Sequence, residues 1–210
     1  MAKLLYVTCD LRPGVHSCCL MAGQAFLDEY VKLHPRDDVQ MLDLYRDPIQ
    51  TADPDVLCAL EKTVRGHHFA TLTTTEQRKL GRIRSLSEQF AAAEKYLLVT
   101  PMWKPGFPAE LWEYLDAVLV AGKTYRNTPH GPEGLLQGQG RKCLLIHASE
   151  GFVYGEKEPH CVVNIRNTLK FLGIEEFNSI VIKGANPDLH ENRALIRQEI
   201  QRVTEAVLGF

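Results

Sequence analysis

No Cys-x-x-Cys pair occurs in this 210-residue sequence, and its six cysteines (Cys9, Cys18, Cys19, Cys58, Cys143 and Cys161) show no paired Cys/His spacing. Neither a metal site nor a disulfide framework is expected, and the thiols read as the reduced thiols of a cytoplasmic protein. The adjacent pair Cys18-Cys19 would bridge only with strain. No segment approaches 18 uncharged apolar residues, so no membrane-spanning helix is expected. Residues 1–8 read as a short strand rather than a signal peptide, because the apolar run is brief and no cleavage pattern follows. The net charge is only −2, and nothing points to nucleic acid or to an anionic membrane surface. Two phosphate-binding signatures are also missing. No Gly-x-x-x-x-Gly-Lys-Ser/Thr occurs and no Gly-x-Gly-x-x-Gly follows the first strand, which counts against a P-loop nucleotidase and a dinucleotide-type Rossmann domain. Repeats, low-complexity tracts and linkers are lacking as well, which predicts a single domain over residues 1–210.

What is present is an ordinary soluble composition, 45% apolar and 24% charged, arranged as alternating strand and helix signals. Lys3 to Thr8 is the first strand, apolar without clean alternation, as expected when helices cover both faces of a sheet. Ser17 is placed to cap a helix with Leu20, Gly23, Leu27 and Val31 on one face. Val39 to Leu44 is the second strand. Residues 45–75 are irregular, with a short helix near Asp55 to Lys62, and read as a substrate-side flap or an interface element. Thr75 caps a helix with Leu80, Ile83, Leu86 and Phe90 inward. The third strand ends at Thr100, and a loop over Pro101–Pro108 leads into a helix over Ala109–Val120, with Pro108 fitting its first turn. Residues 121–134 are rich in turn formers and read as a loop. Lys142 to His147 is the fourth strand. A helix with Val162, Ile165, Leu169 and Leu172 inward ends at the C-cap Gly173. Asn178 to Ile182 is the fifth strand, and Asn186-Pro187 opens a last helix with Leu195, Ile196, Ile200, Val203 and Val207 inward. Alternation of this kind predicts an α/β three-layer sandwich with a five-stranded parallel sheet. The order expected is 2-1-3-4-5, the flavodoxin-like arrangement, in which the loops after strands one, three and four meet at a switch point.

Those three loops define the chemistry to expect. The first ends at a helix N-terminus with Ser17, where backbone N–H groups and the helix dipole favour an anion such as phosphate. The second, Pro101-Met102-Trp103-Lys104-Pro105-Gly106-Phe107-Pro108, is stiff and flat-faced, which suits a planar aromatic ligand; a rigid turn packing Trp103 into the core is the bland alternative. The third, Ala148-Ser149-Glu150-Gly151, offers small residues and backbone donors. Phosphate at one end and a flat heteroaromatic ring at the other describe FMN. The cysteines read as small buried filler, or else Cys18 or Cys19 at the helix N-terminus is an oxidant-sensing thiol of lowered pKa. His16, His67, His68, His130 and His147 are candidates for local proton assistance, and His147, just before the third loop, stands nearest the site.

Over nearly its whole length, and most specifically from Pro101 to Arg141, the chain resembles the FMN-dependent NADH azoreductase family, the short flavodoxin-fold quinone reductases. The matching residues are Pro101-Met102-Trp103, Phe107-Pro108, Leu111, Tyr114, Asp116, Ala121-Gly-Lys-Thr-Tyr-Arg126 and Gly131-Pro-Glu-Gly-Leu135. The resemblance implies two-electron reduction of quinones and azo compounds by NADH or NADPH through the flavin, in a homodimer with its sites near the interface. Carried over residue by residue, the family's Ser-x-Ser phosphate grip falls on Ser17-Cys18-Cys19, and the residue after the first strand on Cys9 or Asp10. The family's Asn and Phe of the second loop are replaced by Lys104 and Pro105. Its paired glycines in the third loop become Glu150-Gly151. All three contact loops are thus altered within a kept frame. An ion pair between Lys104 and Glu150 beside the flavin is expected. Two other readings follow from the altered loops and the fold: a redox-sensing or partner-binding protein that has lost tight FMN binding, and a one-electron carrier, against which the near-neutral charge argues.

Overall fold

The computed structural model describes residues 1–103, 106–149, 158–183 and 192–210. Strand β1 (Lys3–Thr8) sends Leu5 and Val7 into one apolar layer and Leu4 and Tyr6 into another. The same division runs through β3 (Lys95–Met102), where Tyr96 and Leu98 oppose Leu97 and Val99. In β6 (Lys142–Ser149), Cys143 and Leu145 oppose Leu144 and Ile146. Both faces are therefore covered, which is why these strands read as continuous apolar runs. With β2 (Asp38–Asp43) and β7 (Glu176–Lys183) they form a five-stranded parallel sheet in the order β2-β1-β3-β6-β7.

One layer is built by α1 (Cys18–Leu33) and α6 (Arg193–Glu205), which pack on each other and on the sheet. The other is built by α3 (Thr74–Ala92), α4 (Ala109–Val118) and α5 (His160–Leu172). A further helix, α2 (Pro54–Val64), docks on α3 through Ala59, clustered with Leu72 and Leu80, and through ion pairs from Lys79 to Asp53 and Asp55 and from Lys62 to Glu76. The irregular 45–75 segment thus carries a helix longer than its pattern indicated.

The strand numbering departs from the expected 2-1-3-4-5 because residues 121–134 are not a plain loop. They form an antiparallel hairpin, β4 (Tyr125–Thr128) and β5 (Gly131–Gly134), outside the main sheet. The hairpin is held by docking on α5. A Cβ at Gly134 would lie 2.2 Å from the Phe171 carbonyl oxygen, and Leu136 N–H donates to Leu172 O at 2.9 Å. Glycine is needed at that approach, and Gly173, with φ +104°, makes the left-handed turn that ends α5 as expected.

Smaller corrections have local causes. Strand β3 runs past Thr100 to Met102, because β1 stops at Thr8 opposite Val99 and Pro101 then needs no N–H on that side. The cap of α3 is Thr73, not Thr75: its hydroxyl accepts from Glu76 N–H while Glu76 accepts from Thr73 N–H, a complete capping box. On α1 Gly23 and Leu27 are buried as expected, together with Cys19, Ala22, Phe26 and Tyr30, while Leu20 is half-buried and Val31 is exposed. On α6 Leu195 likewise lies outward, while Ile196 and Val203 are buried. The expected opening of that helix at Asn186-Pro187 lies outside the described residues. No helix among the described residues is long and apolar enough to cross a membrane.

Candidate active site

Adjacent parallel strands β1, β3 and β6 end at one edge of the sheet, in register through Thr8 with Val99 and Met102 with Ser149. Their three following loops therefore start side by side. Cys9 N–H extends the ladder to Val99 O at 2.9 Å, which fixes where the first loop departs.

In that loop a single 3₁₀ turn over Gly14–His16 delivers Ser17 to the cap of α1. The Ser17 hydroxyl accepts from Leu20 N–H at 3.2 Å and lies 3.1 Å from the Cys19 thiol. The thiol donates onward to Asp10 Oδ2 at 3.6 Å. Asp10 also accepts Arg12 N–H at 3.0 Å and pairs with the Arg12 guanidinium at 3.4 Å. The result is a buried string, Ser17–Cys19–Asp10–Arg12, lining the start of a helix whose N-terminal N–H groups and dipole favour an anion. Cys19 is not a reactive thiol. Burial pushes its pKa up strongly; the Ser17 hydroxyl opposes this, the Asp10 charge adds to it and Arg12 offsets it. Full burial and a raised thiol pKa both stand against the oxidant-sensor reading at Cys19, and five of the six cysteines are buried. Cys9 is likewise pushed up to about 12, by burial first and then by the Glu110 charge.

The second loop opens at Trp103, half-buried, whose ring lies 6.2 Å from that of Tyr45. Gly106 returns the chain through an N–H bond to Trp103 O at 3.3 Å. Tyr45 follows β2 and donates its hydroxyl to Glu110 of α4 at 2.8 Å, so an aromatic pair and a carboxylate stand at this edge. Phe107 turns inward and meets the His147 ring edge-to-face at 5.5 Å. His147 is buried near the end of β6, its Nδ1 has no hydrogen-bond partner among the described residues, and burial lowers its pKa to about 4 against the pull of the Glu158 charge. It is a neutral imidazole at pH 7.

The expected site residues sort by what they can present. Ser17, Asp10 and Trp103 carry polar or aromatic side chains at the sheet edge. Cys9, Met102, Phe107, Cys18, Cys19 and Ala148 are packed in the two apolar layers, so only their backbone can face a ligand. Pro101 and Ser149 are strand residues, paired with Ala148 and Met102, and Ser149 is buried. Lys104, Pro105, Glu150 and Gly151, and with them the expected Lys104–Glu150 pair, lie outside the described residues. Two features escaped the sequence reading. Tyr45 was legible only as the residue after β2, whose end shares this edge, and the Asp10–Arg12 turn only as an Asp two residues before an Arg.

A family model described as flavodoxin-like fold matches residues 2–207. An FMN-dependent NADH:quinone oxidoreductase of Geotalea uraniireducens is 55% identical over 194 residues, covering 91% of this chain and 92% of the relative. One of the same name from Trichlorobacter lovleyi is 44% identical over the full length of both chains. Among solved structures, an FMN-dependent NADH-azoreductase from Bacillus anthracis in complex with FMN superposes with a TM-score of 0.85 at 27% identity, covering 100% of this chain and 99% of that one. The chain belongs to the flavodoxin-like fold family, among relatives named FMN-dependent NADH:quinone oxidoreductases.

Proposed function

We propose that this protein is an FMN-dependent oxidoreductase that takes electrons from NADH and passes them, two at a time, to quinones and azo compounds. The observation that carries the reading is that β1, β3 and β6 end side by side at one edge of the sheet, β1 leading to the Ser17-capped start of α1 and β3 leading to Trp103. The relatives' names give the donor, and the FMN held by a structural neighbour gives the cofactor. The residues present fit such a group. A serine-capped helix start suits a phosphate, and a half-buried indole beside Tyr45 suits a flat ring.

FMN, when bound, supplies the redox chemistry, and the protein supplies binding, orientation and electrostatics. In this reading Ser17 and the backbone of Cys18 and Cys19 hold the phosphate. The backbone of Pro101, Met102, Trp103, Gly106 and Phe107 and that of Ala148 and Ser149 hold the ring, with Trp103 as its wall. The side chains of Met102, Phe107 and Ala148 are packed in the apolar layers, which fixes the backbone at those three residues and so helps to place the ring. His147 stays neutral behind Phe107 and contributes no charge to the site.

The reading extends to one domain over residues 1–210, a cytoplasmic location, and a homodimer with the site near the interface. The dimer is supported by exposed Leu57, Leu60 and Val64 on one side of α2. NADPH is the alternative donor. The test is a titration of FMN into the protein followed by flavin fluorescence, then NADH oxidation at 340 nm with a benzoquinone. Saturable quenching near one FMN per chain and quinone-dependent turnover are expected. A chain that binds no FMN refutes the reading.

A further inference from the structure

The first loop places a carboxylate where an anion is to bind. Asp10 has no exposed side-chain surface, and it stands two hydrogen bonds from the capping hydroxyl, through the Cys19 thiol, at 3.6 Å and 3.1 Å. A buried negative charge so near the start of α1 opposes a dianion there, since like charges in a poorly solvated site repel strongly. The opposing cation is Arg12. Its backbone N–H at 3.0 Å and its guanidinium at 3.4 Å both engage the Asp10 carboxylate, and its side chain retains 30% exposure. Both charges act on Cys19 in opposite directions, so the pair already sets the field at the helix start.

We propose that Arg12 sets the phosphate affinity of this site through Asp10: it neutralises a carboxylate that, left bare, makes the loop reject a dianion. Arg12 is a positioning residue, and the proposal rests on the FMN reading above.

Phosphate dependence separates this role from a merely structural one, because riboflavin carries the same ring without the phosphate. The experiment titrates FMN and riboflavin, each by flavin fluorescence, into flavin-stripped full-length protein: wild type, Arg12→Gln, Arg12→Lys, Asp10→Asn and the double variant Asp10→Asn/Arg12→Gln. Circular dichroism checks folding. Arg12→Gln is expected to weaken FMN about tenfold or more, a change of at least about 1.4 kcal/mol, while riboflavin stays within about threefold. The double variant is expected to recover FMN binding to within about threefold of wild type, and Arg12→Lys to stay near wild type. Asp10→Asn alone is expected to bind FMN as tightly as wild type or more so.

An unchanged ratio of FMN to riboflavin affinity in Arg12→Gln overturns the proposal. So does a double variant as weak for FMN as Arg12→Gln, since Arg12 then acts on the phosphate directly. If Arg12→Gln does not fold, the double variant, which buries no bare carboxylate, decides: wild-type FMN binding supports the proposal, and selective loss of FMN overturns it. A wild-type protein that binds neither flavin defeats the functional reading, and this proposal with it.

Discussion

Protonating His147 is unfavourable in the folded state, and the size of that cost follows from its surroundings. His147 is 2% exposed, its ring sits edge-to-face on Phe107, and its buried Nδ1 has no acceptor for a second proton among the described residues. Burial lowers its pKa from 6.5 to about 4, with the Glu158 charge opposing the shift. Unfolded, the imidazole takes up a proton below about pH 6.5; folded, it does so only below about 4. The unfolded chain therefore binds more protons in that window, and stability falls as pH is lowered through it. Each pKa unit is worth about 1.4 kcal/mol, so the full loss approaches about 3 kcal/mol, a large part of a typical folding free energy. The assay is urea unfolding of wild type and His147→Gln between about pH 7.5 and 4. Carboxylates titrate alike in both proteins and cancel in the difference. The stability of wild type minus that of the variant is expected to fall by about 3 kcal/mol across the window. Parallel pH curves, or an imidazole resonance titrating near pH 6.5, would refute the reasoning.

Other perturbations probe separate parts of the fold. Glu76 is held down to about 2, first by Lys62 and then by the Thr73 backbone N–H. Its contribution is complete above about pH 4.5 and is lost as pH falls toward 2. The difference in Tm between wild type and Glu76→Gln should therefore shrink between pH near 7 and pH near 3; a constant difference would contradict the part played by the Glu76 charge beside Lys62. The buried Arg141 guanidinium donates to the carbonyls of Ala91, Ala93 and Leu136 at 2.8, 3.0 and 3.0 Å. Arg141→Met strips the donors from the Ala91 and Leu136 carbonyls and leaves the Ala93 carbonyl with the Tyr96 hydroxyl alone, and is expected to cost about 3 kcal/mol in urea unfolding. Gly134→Ala drives a methyl into the Phe171 carbonyl and is expected to cost about 3 kcal/mol, with faster proteolysis at the hairpin than in the main sheet.

The layered α/β plan was legible because strands buried on both faces are apolar throughout and the helices between them carry their own start and stop signals. Ser17 and Gly173 act as read. The hairpin Tyr125–Gly134 was not legible: Gly131, Pro132 and Gly134 are turn formers, and only docking on α5 makes them a strand. Pro101 is similar, since its place in β3 depends on where β1 stops. The Thr73 cap was readable from Thr-x-x-Glu spacing, but three successive threonines hid it. On α1, Phe26 and Tyr30 took the inward face because the neighbouring apolar layer accommodates their rings, which leaves Val31 to solvent. In the site, the loops were legible as loops, and the resemblance named their residues. Which residues offer side chains and which only backbone depends on the division between two apolar layers, as for Met102 and Phe107 on one side and Cys19 on the other. The Asp10–Arg12 pair needed the third dimension, because its significance lies in burial and in the path to Ser17.

The most direct test of the account is the visible spectrum of the purified protein before and after anaerobic addition of NADH, with the released flavin identified after denaturation. The account expects a yellow protein releasing FMN at near one per chain, bleached by NADH and recoloured by a quinone. A colourless protein that takes up no added FMN, or a flavoprotein that NADH does not bleach, would contradict it.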